Sequence, residues 1–139
     1  MVEFFIENIG LFIIAIGSML FLIWPWISKQ MNGVSEAEPL EIVRVINKGK
    51  TLIVDIRSED EFGQGRLSGS KNIPDKGLLE RIKEIEKYKT RTVILVSSNN
   101  SRAVNAFTLL RKNGFESIII LRGGVNAWQQ ANLPMEKTR

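Results

Sequence analysis

The sequence predicts an α/β domain with a parallel sheet, preceded by an apolar N-terminal segment. Three short aliphatic runs, TLIVD, VILVS and SIIIL, have the continuous hydrophobicity of strands that are covered on both faces. Segments with the periodicity of helices lie between these runs. Because strands that alternate with helices usually pair in parallel, we expect helices to cover both faces of one sheet.

The N-terminal segment has the length and composition of a membrane span. Residues 8–28, NIGLFIIAIGSMLFLIWPWIS, carry no charge, and at 1.5 Å per residue a helix of this length crosses a hydrocarbon core of ~30 Å. Trp24 and Trp26 lie near its downstream end, where indole rings favour the lipid headgroups. A cleaved signal peptide is the alternative, but the segment has no basic start and no small-residue cleavage site. We therefore assign residues 1–28 to a transmembrane anchor whose residues 8–28 contact the lipid bilayer.

The basic residues around this segment predict its orientation. None precedes it, whereas Lys29, Arg44, Lys48 and Lys50 follow it within about twenty residues. Basic residues near a span are retained on the cytoplasmic side. We expect a single-pass protein of the cell (inner) membrane, with the N-terminus outside and the domain in the cytoplasm.

The rest of the chain is predicted to hold a single domain. Residues 29–38 are polar and have no apolar period, as in a short linker, and residues 136–139 are a tail. The domain between them covers residues 39–135. Pro39 suits the first turn of a helix that ends at Gly49, and the strand TLIVD follows.

Two further helices are predicted between the remaining strands. Residues 101–113 have a helical pattern that ends at Gly114, between VILVS and SIIIL. Residues 78–88, LLERIKEIEKY, form an amphipathic helix before VILVS. Its apolar stripe is Leu78, Leu79, Ile82 and Ile85.

The composition excludes several kinds of chemistry. The chain of 139 residues has a net charge of +4 and contains no cysteine and no histidine. Disulfides, thiolate chemistry, the usual zinc ligand sets and Ser-His or Cys-His pairs are therefore excluded, and no cofactor or metal ion is expected. The basic residues are scattered along the chain, so no nucleic-acid partner is expected.

The polar loop SSNNSR between a strand and a helix is the candidate binding site. Backbone N–H groups converge at a helix N-terminus, the helix dipole is positive there, and Arg102 adds a full charge. The loop is therefore predicted to bind an anion. Its residues are Ser97, Ser98, Asn99, Asn100, Ser101 and Arg102.

Asp55 and Arg57 follow the strand TLIVD. Because parallel strands open at the same edge of a sheet, these two side chains are expected near the loop 97–102. They either support the anion site or form an ion pair that braces the loops.

An ordered set of short motifs over residues 35–135 resembles the rhodanese-like domain, especially its small single-domain, membrane-anchored bacterial members. The resemblance implies a three-layer α/β/α fold around a parallel sheet of about five strands. It also implies that Asp55 and Arg57 brace loops, that Glu61 makes a contact at the start of a helix, and that Phe62 and Trp128 pack in the core. A Cβ is expected to be obstructed at four glycines: Gly65, Gly69, Gly123 and Gly124. The motifs are Asp55-Ile56-Arg57, Glu61-Phe62, Gly65-Arg66-Leu67, Gly69-Ser70, Asn72-Ile73-Pro74, the loop ending at Arg102, Gly114-Phe115, Leu121-Arg122-Gly123-Gly124, Ala127-Trp128 and Leu133-Pro134.

The family's usual chemistry is sulfur transfer through a cysteine persulfide at the first position of the six-residue loop. Here that position is Ser97, and a serine oxygen cannot carry a stable sulfane sulfur. Asn100, Ala103 and Arg66 also depart from the residues that the family often has there, which disfavours a lone Cys→Ser change.

Three functions follow from these departures. We expect a non-catalytic, inactive homologue that binds a small oxyanion or a cytoplasmic protein partner at the membrane face. The first alternative is an enzyme, either a sulfurtransferase that uses an external thiol or a hydrolase that uses Ser97. The second is a structural membrane adaptor with a vestigial loop.

Overall fold

A computed structural model describes residues 1–31 and 33–137, without the side chains of residues 28–31. The chain forms two compact units, Met1–Gly33 and Val34–Arg139. The first unit consists of helices α1 (Val2–Glu7) and α2 (Ile9–Met31). Residues Ile9–Ile27 have a mean hydropathy of 2.1, so α2 is long and apolar enough to cross a membrane. The predicted helix is therefore present.

A five-stranded parallel sheet forms the centre of the second unit. Its strands are β1 (Glu36–Ala37), β2 (Thr51–Asp55), β4 (Lys71–Asn72), β5 (Thr92–Val96) and β6 (Ser117–Leu121), in the order β1-β6-β5-β2-β4. A separate antiparallel pair joins β3 (Arg66–Leu67) to β7 (Met135–Glu136). The three aliphatic runs of the sequence are the three adjacent central strands, as expected.

Helices cover both faces of the sheet. Alternate strand residues supply two apolar clusters: Val54 and Leu95 lie in one, and Ile53 and Ile94 lie in the other. The first cluster includes residues of α5 (Leu78–Arg81) and α6 (Asn100–Lys112). The second includes residues of α3 (Pro39–Lys48) and α7 (Gly124–Gln130). The predicted three-layer α/β/α fold is confirmed; α4 (Glu59–Gln64) completes the helices.

The helix predicted for residues 78–88 is wrong in two respects. Only Leu78–Arg81 is α-helical, and Ile82–Tyr88 is a 3₁₀ segment, as is Asp75–Gly77 before it. Leu79, which the prediction placed on the apolar stripe, is 59% exposed. Consecutive helical residues point about 100° apart, so only one of two adjacent leucines faces the sheet, and that residue is Leu78.

Short pairings extend into the segments predicted to be a linker and a tail. Helix α2 continues to Met31, and β1 adds an edge strand through Glu36 and Ala37. At the other end, Glu136 pairs with Arg66 in the two-stranded sheet. Two-residue strands are too short to produce a hydrophobic period, so the sequence did not indicate them.

The turn from β6 into α7 packs closely on the loop after β5. Gly123 and Gly124 have φ angles of 75° and 60°, in the left-handed region that favours glycine. A Cβ on Gly124 would lie 1.9 Å from the carbonyl oxygen of Ser97. The expectation that a Cβ would be obstructed is confirmed for Gly123 and Gly124. It is wrong for Gly65, where a Cβ would only contact Met135 at 3.4 Å, and at Gly69 the constraint is the φ angle of 77°, since a Cβ there meets nothing within 4 Å. Trp128 lies in the core as expected, at 4% exposed, whereas Phe62 is half-buried.

We expect Gly124→Ala to lower the free energy of unfolding by more than ~2 kcal/mol, because it combines a backbone clash with an unfavourable φ angle. The measurement is urea denaturation of the full chain in detergent, followed by circular dichroism. Gly49→Ala is the matched control, because a Cβ there meets nothing within 4 Å. The control should change stability by less than ~0.5 kcal/mol. Equal effects of the two substitutions would contradict the packing described here.

Candidate functional site

The candidate site lies where the central strands of the sheet end. Asp55 at the end of β2 is in register with Val96 at the end of β5, and Leu95 is in register with Ile120 of β6. The residues that follow these strands therefore emerge at one edge of the sheet. This arrangement places the polar loop after β5 next to the glycine turn after β6.

Ser97 is the first residue of the loop and is only 6% exposed. Its hydroxyl donates a hydrogen bond to the carbonyl oxygen of Asn99 at 3.0 Å and accepts one from the N–H of Asn99 at 3.1 Å. The single proton of the hydroxyl is therefore shared with a carbonyl oxygen, which is not a base. These two hydrogen bonds hold the Ser97 side chain against the backbone of the loop.

Asn99 also begins the helix that follows the loop. Its side-chain Oδ1 accepts hydrogen bonds from the N–H groups of Ser101 at 2.8 Å and Arg102 at 3.4 Å. Its carbonyl oxygen accepts one from the N–H of Ala103 at 3.1 Å. Asparagine is a favoured residue at this capping position. As a result, α6 begins at Asn100, one residue before the predicted start.

Part of the loop backbone stays available to a ligand. Among the described residues, the backbone N–H groups of Ser98 and Asn100 donate no hydrogen bond. Both residues line a cavity of about 100 Å³ that Gly123 and Gly124 also line. Asn99 accepts two of the converging donors expected from the sequence, the N–H groups of Ser101 and Arg102.

Arg102 pairs with Asp75, a residue that the sequence did not single out. Its Nε lies 2.8 Å from Oδ2 of Asp75, and its Nη2 lies 3.2 Å from Oδ1. The N–H of Asp75 donates to the carbonyl oxygen of Ile56 at 3.1 Å, which fixes the acid beside the end of β2. An anion that binds Arg102 therefore has to compete with a carboxylate of the chain itself.

Asp55 and Arg57 form a buried ion pair. The guanidinium Nη2 lies 2.7 Å from Oδ2 of Asp55 and 2.6 Å from the carbonyl oxygen of Gly65. The side chain of Asn72 donates to the carbonyl oxygens of Asp55 and Arg57 at 3.0 Å each. These contacts join the end of β2 to the end of α4 and to β4, which is the arrangement of a brace.

Arg122, directly after β6, forms ion pairs with two acids at the edge strand β1. Its guanidinium lies 3.0 Å from Glu38 and 3.3 Å from Glu36. The hydrogen bond with Glu38, followed by that with Glu36, raises the pKa of Arg122 above its ordinary value. Among the residues that the structure describes, no group of three or more Asp and Glu side chains lies close enough to hold a metal ion.

Comparison with known proteins identifies the family. The model of the rhodanese-like domain matches residues 38–131. The protein YibN of Escherichia coli strain K12 is 34% identical over 96 residues, which cover 68% of this chain and 67% of YibN. A protein of Allochromatium vinosum named sulfurtransferase is 30% identical over 92 residues, which cover 66% of this chain and 84% of that protein.

Solved structures show the same fold. The Alr3790 protein of Anabaena superposes with a TM-score of 0.67 at 24% identity, covering 73% of this chain and 92% of that one. A thiosulfate sulfurtransferase of Pseudomonas aeruginosa superposes with a TM-score of 0.68 at 19% identity, covering 81% of this chain and 22% of that one. With the family match over most of its length and the shared three-layer fold, this chain belongs to the rhodanese-like domain family.

Proposed function

We propose that this chain is a non-catalytic rhodanese-like module that binds a small oxyanion or a protein partner through the loop 97–102. The observation that carries the proposal is the hydroxyl of Ser97, which stands at the family's cysteine position and is hydrogen-bonded to Asn99 on both its donor and acceptor sides. A persulfide needs a soft, readily ionised sulfur at this position. An alkoxide is barely accessible at neutral pH, and its oxygen holds no stable sulfane sulfur.

The surroundings of Ser97 also argue against its use as a nucleophile. A serine nucleophile requires an adjacent base, and the chain contains no histidine. The only group that accepts the Ser97 proton among the described residues is the carbonyl oxygen of Asn99. A hydrolytic role for Ser97 is therefore the weaker proposal.

The features that favour an anion are the backbone groups of the loop that make no hydrogen bond within the protein, together with the helix that follows. The N–H groups of Ser98 and Asn100 and the dipole of the 13-residue helix α6 favour negative charge in the small cavity. Arg102 adds a cation, but its guanidinium already forms an ion pair with the carboxylate of Asp75. We infer a weak anion site that strengthens when a ligand or partner draws Asp75 away.

A second candidate function is sulfur transfer through a thiol supplied by a partner. The name of the Allochromatium vinosum relative, sulfurtransferase, supports this reading. In that case the loop would bind the terminal sulfur of an external persulfide, and Ser97 would only support the loop. A structural adaptor is the third candidate, supported by α2 alone.

We further propose that α2 anchors the protein in the cell (inner) membrane. The apolar segment Ile9–Ile27 supports this placement by its length and composition, and none of its residues is buried. The basic residues that follow the segment favour an N-terminus outside and a domain in the cytoplasm.

Ser97→Cys is expected to gain thiosulfate-to-cyanide sulfur transfer that the unaltered chain lacks. A thiolate there would accept the N–H of Asn99 and lie beside the free N–H groups of the loop, which lowers a thiol pKa. The measurement is thiocyanate formation by the full chain in detergent. Ser98→Cys, one residue along the loop and exposed, is the control and should stay inactive. Turnover by the unaltered chain that Ser97→Ala abolishes would refute the non-catalytic proposal.

Asp75→Asn is expected to tighten sulfate binding roughly tenfold, equivalent to ~1.4 kcal/mol, because it frees the guanidinium of Arg102. Isothermal titration with sulfate, thiosulfate and phosphate measures the affinity. Glu84→Gln is the matched control: it makes the same change in net charge and breaks ion pairs with Arg81 and Lys71 away from the loop.

Arg102→Gln should weaken binding of the same anions. Equal affinities for Asp75→Asn and Glu84→Gln would show that net charge, and not the release of Arg102, controls binding. Absence of anion binding in every variant would leave the protein-partner form of the proposal as the one to pursue by affinity capture with and without the loop substitutions.

The membrane orientation is tested by single cysteines, because the chain has none of its own. Val2→Cys should react with a membrane-impermeant maleimide in intact spheroplasts, whereas Thr90→Cys, exposed on the domain, should react only after lysis. The reverse labelling pattern would contradict the orientation. Release of the protein by alkaline carbonate would contradict the anchor itself.

A further inference from the structure

Basic residues that are scattered along the sequence come together at the amino edge of the sheet, opposite the loop 97–102. Thr51, Thr92 and Ser117, the first residues of β2, β5 and β6, are in register, so the residues just before them lie side by side. Helices α3 and α6 end at the same edge, since β2 and β6 begin within a few residues of their last turns. We define the amino-edge patch by its seven basic residues, which are Lys48, Lys50, Lys87, Lys89, Arg91, Arg111 and Lys112.

Contacts between the segments that precede β5 and β6 join part of this patch. The side chain of Lys89 runs past Gly114, where a Cβ would lie 3.8 Å from its Cδ. The N–H of Glu116 donates to the carbonyl oxygen of Lys89 at 3.1 Å, and Nη1 of Arg111 donates to the carbonyl oxygen of Glu116 at 3.4 Å. The basic side chains from these two segments therefore belong to one surface.

Tyr88 positions two further cations of the patch. Lys87 and Arg91 lie over its ring, with Nζ and Cζ at 5.3 Å and 5.5 Å from the centroid. The ring itself is half-buried and packs on the first apolar cluster. A tyrosine flanked by cations is a combination that suits the interface between a membrane and water.

The patch carries the excess positive charge of the domain. Its seven basic residues are accompanied by two acids, Glu86 and Glu116, whereas the rest of residues 34–137 holds ten basic residues and eleven acids. Among the described residues, Lys89 is the one member of the patch that forms an ion pair, with Glu86 at 3.8 Å. Six basic residues outside the patch form ion pairs. The charge of the patch is therefore left uncompensated by the described chain, which favours a partner with many negative charges.

The chain enters the domain at this same edge. Strand β1 is parallel to β6, and Glu36 is in register with Ile120, so the residues before Glu36 extend toward the start of β6. The carbonyl oxygen of Ser35 accepts the N–H of Ile120 at 2.8 Å, which continues the pairing in that direction. Residues 28–33 connect the apolar segment Ile9–Ile27 to the domain, and even fully extended they span at most ~20 Å. The amino-edge patch therefore lies at the edge by which the domain is tethered to the anchor.

We propose that the amino-edge patch docks on the anionic phospholipid headgroups of the membrane in which α2 is anchored. The proposal rests on the proposed anchor and goes beyond it, because it assigns a second, electrostatic contact between the domain and the bilayer. The cytoplasmic leaflet has a negative surface potential, and clusters of four to eight basic residues beside a membrane span are attracted to it. Docking by the amino edge leaves the opposite edge, with the loop 97–102, open to the aqueous phase and to its ligand.

The test measures how close this edge comes to the headgroups when the full chain is assembled in nanodiscs. Thr90→Cys, exposed between Lys89 and Arg91, is labelled with the small neutral fluorophore bimane, which a nitroxide on phosphatidylcholine headgroups quenches at short range. Quenching should be roughly threefold greater in nanodiscs that contain phosphatidylglycerol than in nanodiscs of phosphatidylcholine alone. At about 1 M NaCl, where the Debye length is ~3 Å, this difference should disappear. Equal quenching in the two lipids at low salt would overturn the proposal.

A control position and a pair of charge variants make the test specific to this edge. Ser98→Cys is exposed at the opposite end of β5, which is ~17 Å long, and its label should be quenched weakly in both lipids. Strong, lipid-dependent quenching there would show that the domain docks by the wrong edge and would overturn the proposal.

The charge variants are made in the chain that carries Thr90→Cys. Lys50→Gln with Lys112→Gln removes two exposed charges of the patch and should reduce the lipid-dependent quenching roughly twofold. The matched control is Lys76→Gln with Lys83→Gln, which removes two exposed lysines outside the patch and should leave the quenching unchanged. Equal effects of the two pairs would assign the attraction to net charge and overturn the role of the patch.

The anchor and the docking fail in different ways. A chain that does not assemble into nanodiscs would overturn the proposed anchor together with the docking, whereas assembly with equal quenching in both lipids would overturn the docking alone. Nucleic acid is the other polyanion that a basic patch attracts. Binding of a fluorescent single-stranded RNA that Lys50→Gln with Lys112→Gln weakens, without lipid-dependent quenching, would assign the patch to nucleic acid and overturn the lipid proposal.

Discussion

The loop of this protein depends on the hydrogen bonds made by Asn99. This residue fixes the hydroxyl of Ser97 through its backbone and begins α6 through its side chain. Gly124 then packs its backbone on the carbonyl oxygen of Ser97 from the opposite side. Because these contacts involve the backbone, the shape of the loop does not require sulfur at the first position. The scaffold can therefore persist after the nucleophile of the family is gone.

The positive charge at the end of this loop is already compensated by the chain itself. A loop that stabilises a thiolate needs free N–H groups and a cation. Here the loop leaves the N–H groups of Ser98 and Asn100 free, and the cation Arg102 is paired with Asp75. The serine hydroxyl is neutral, so it does not need the charge of Arg102. An acid of the chain can therefore pair with the arginine, and this pairing supports the proposal of binding in place of catalysis.

Much of the fold was predictable from the sequence because its signals are local. Five-residue aliphatic strands produce continuous hydrophobic runs, and Gly124 is required by a backbone clash that any side chain would meet. The partner of Arg102 was not predictable, since Asp75 lies 27 residues away and meets it only because the 3₁₀ segment Asp75–Gly77 packs beside the start of α6. The acceptors of Arg122 were hidden for the same reason, because Glu36 and Glu38 approach it only through the edge strand β1.

Glu61 shows how a recognised motif leaves part of a residue's environment open. The resemblance predicts a contact at the start of a helix, and the N–H of Glu61 does donate to the hydroxyl of Ser58, the N-cap of α4. The burial of its carboxylate oxygen Oε2 was not predictable, because it depends on the elements that pack on α4, and a helix of six residues has no hydrophobic period that would show them.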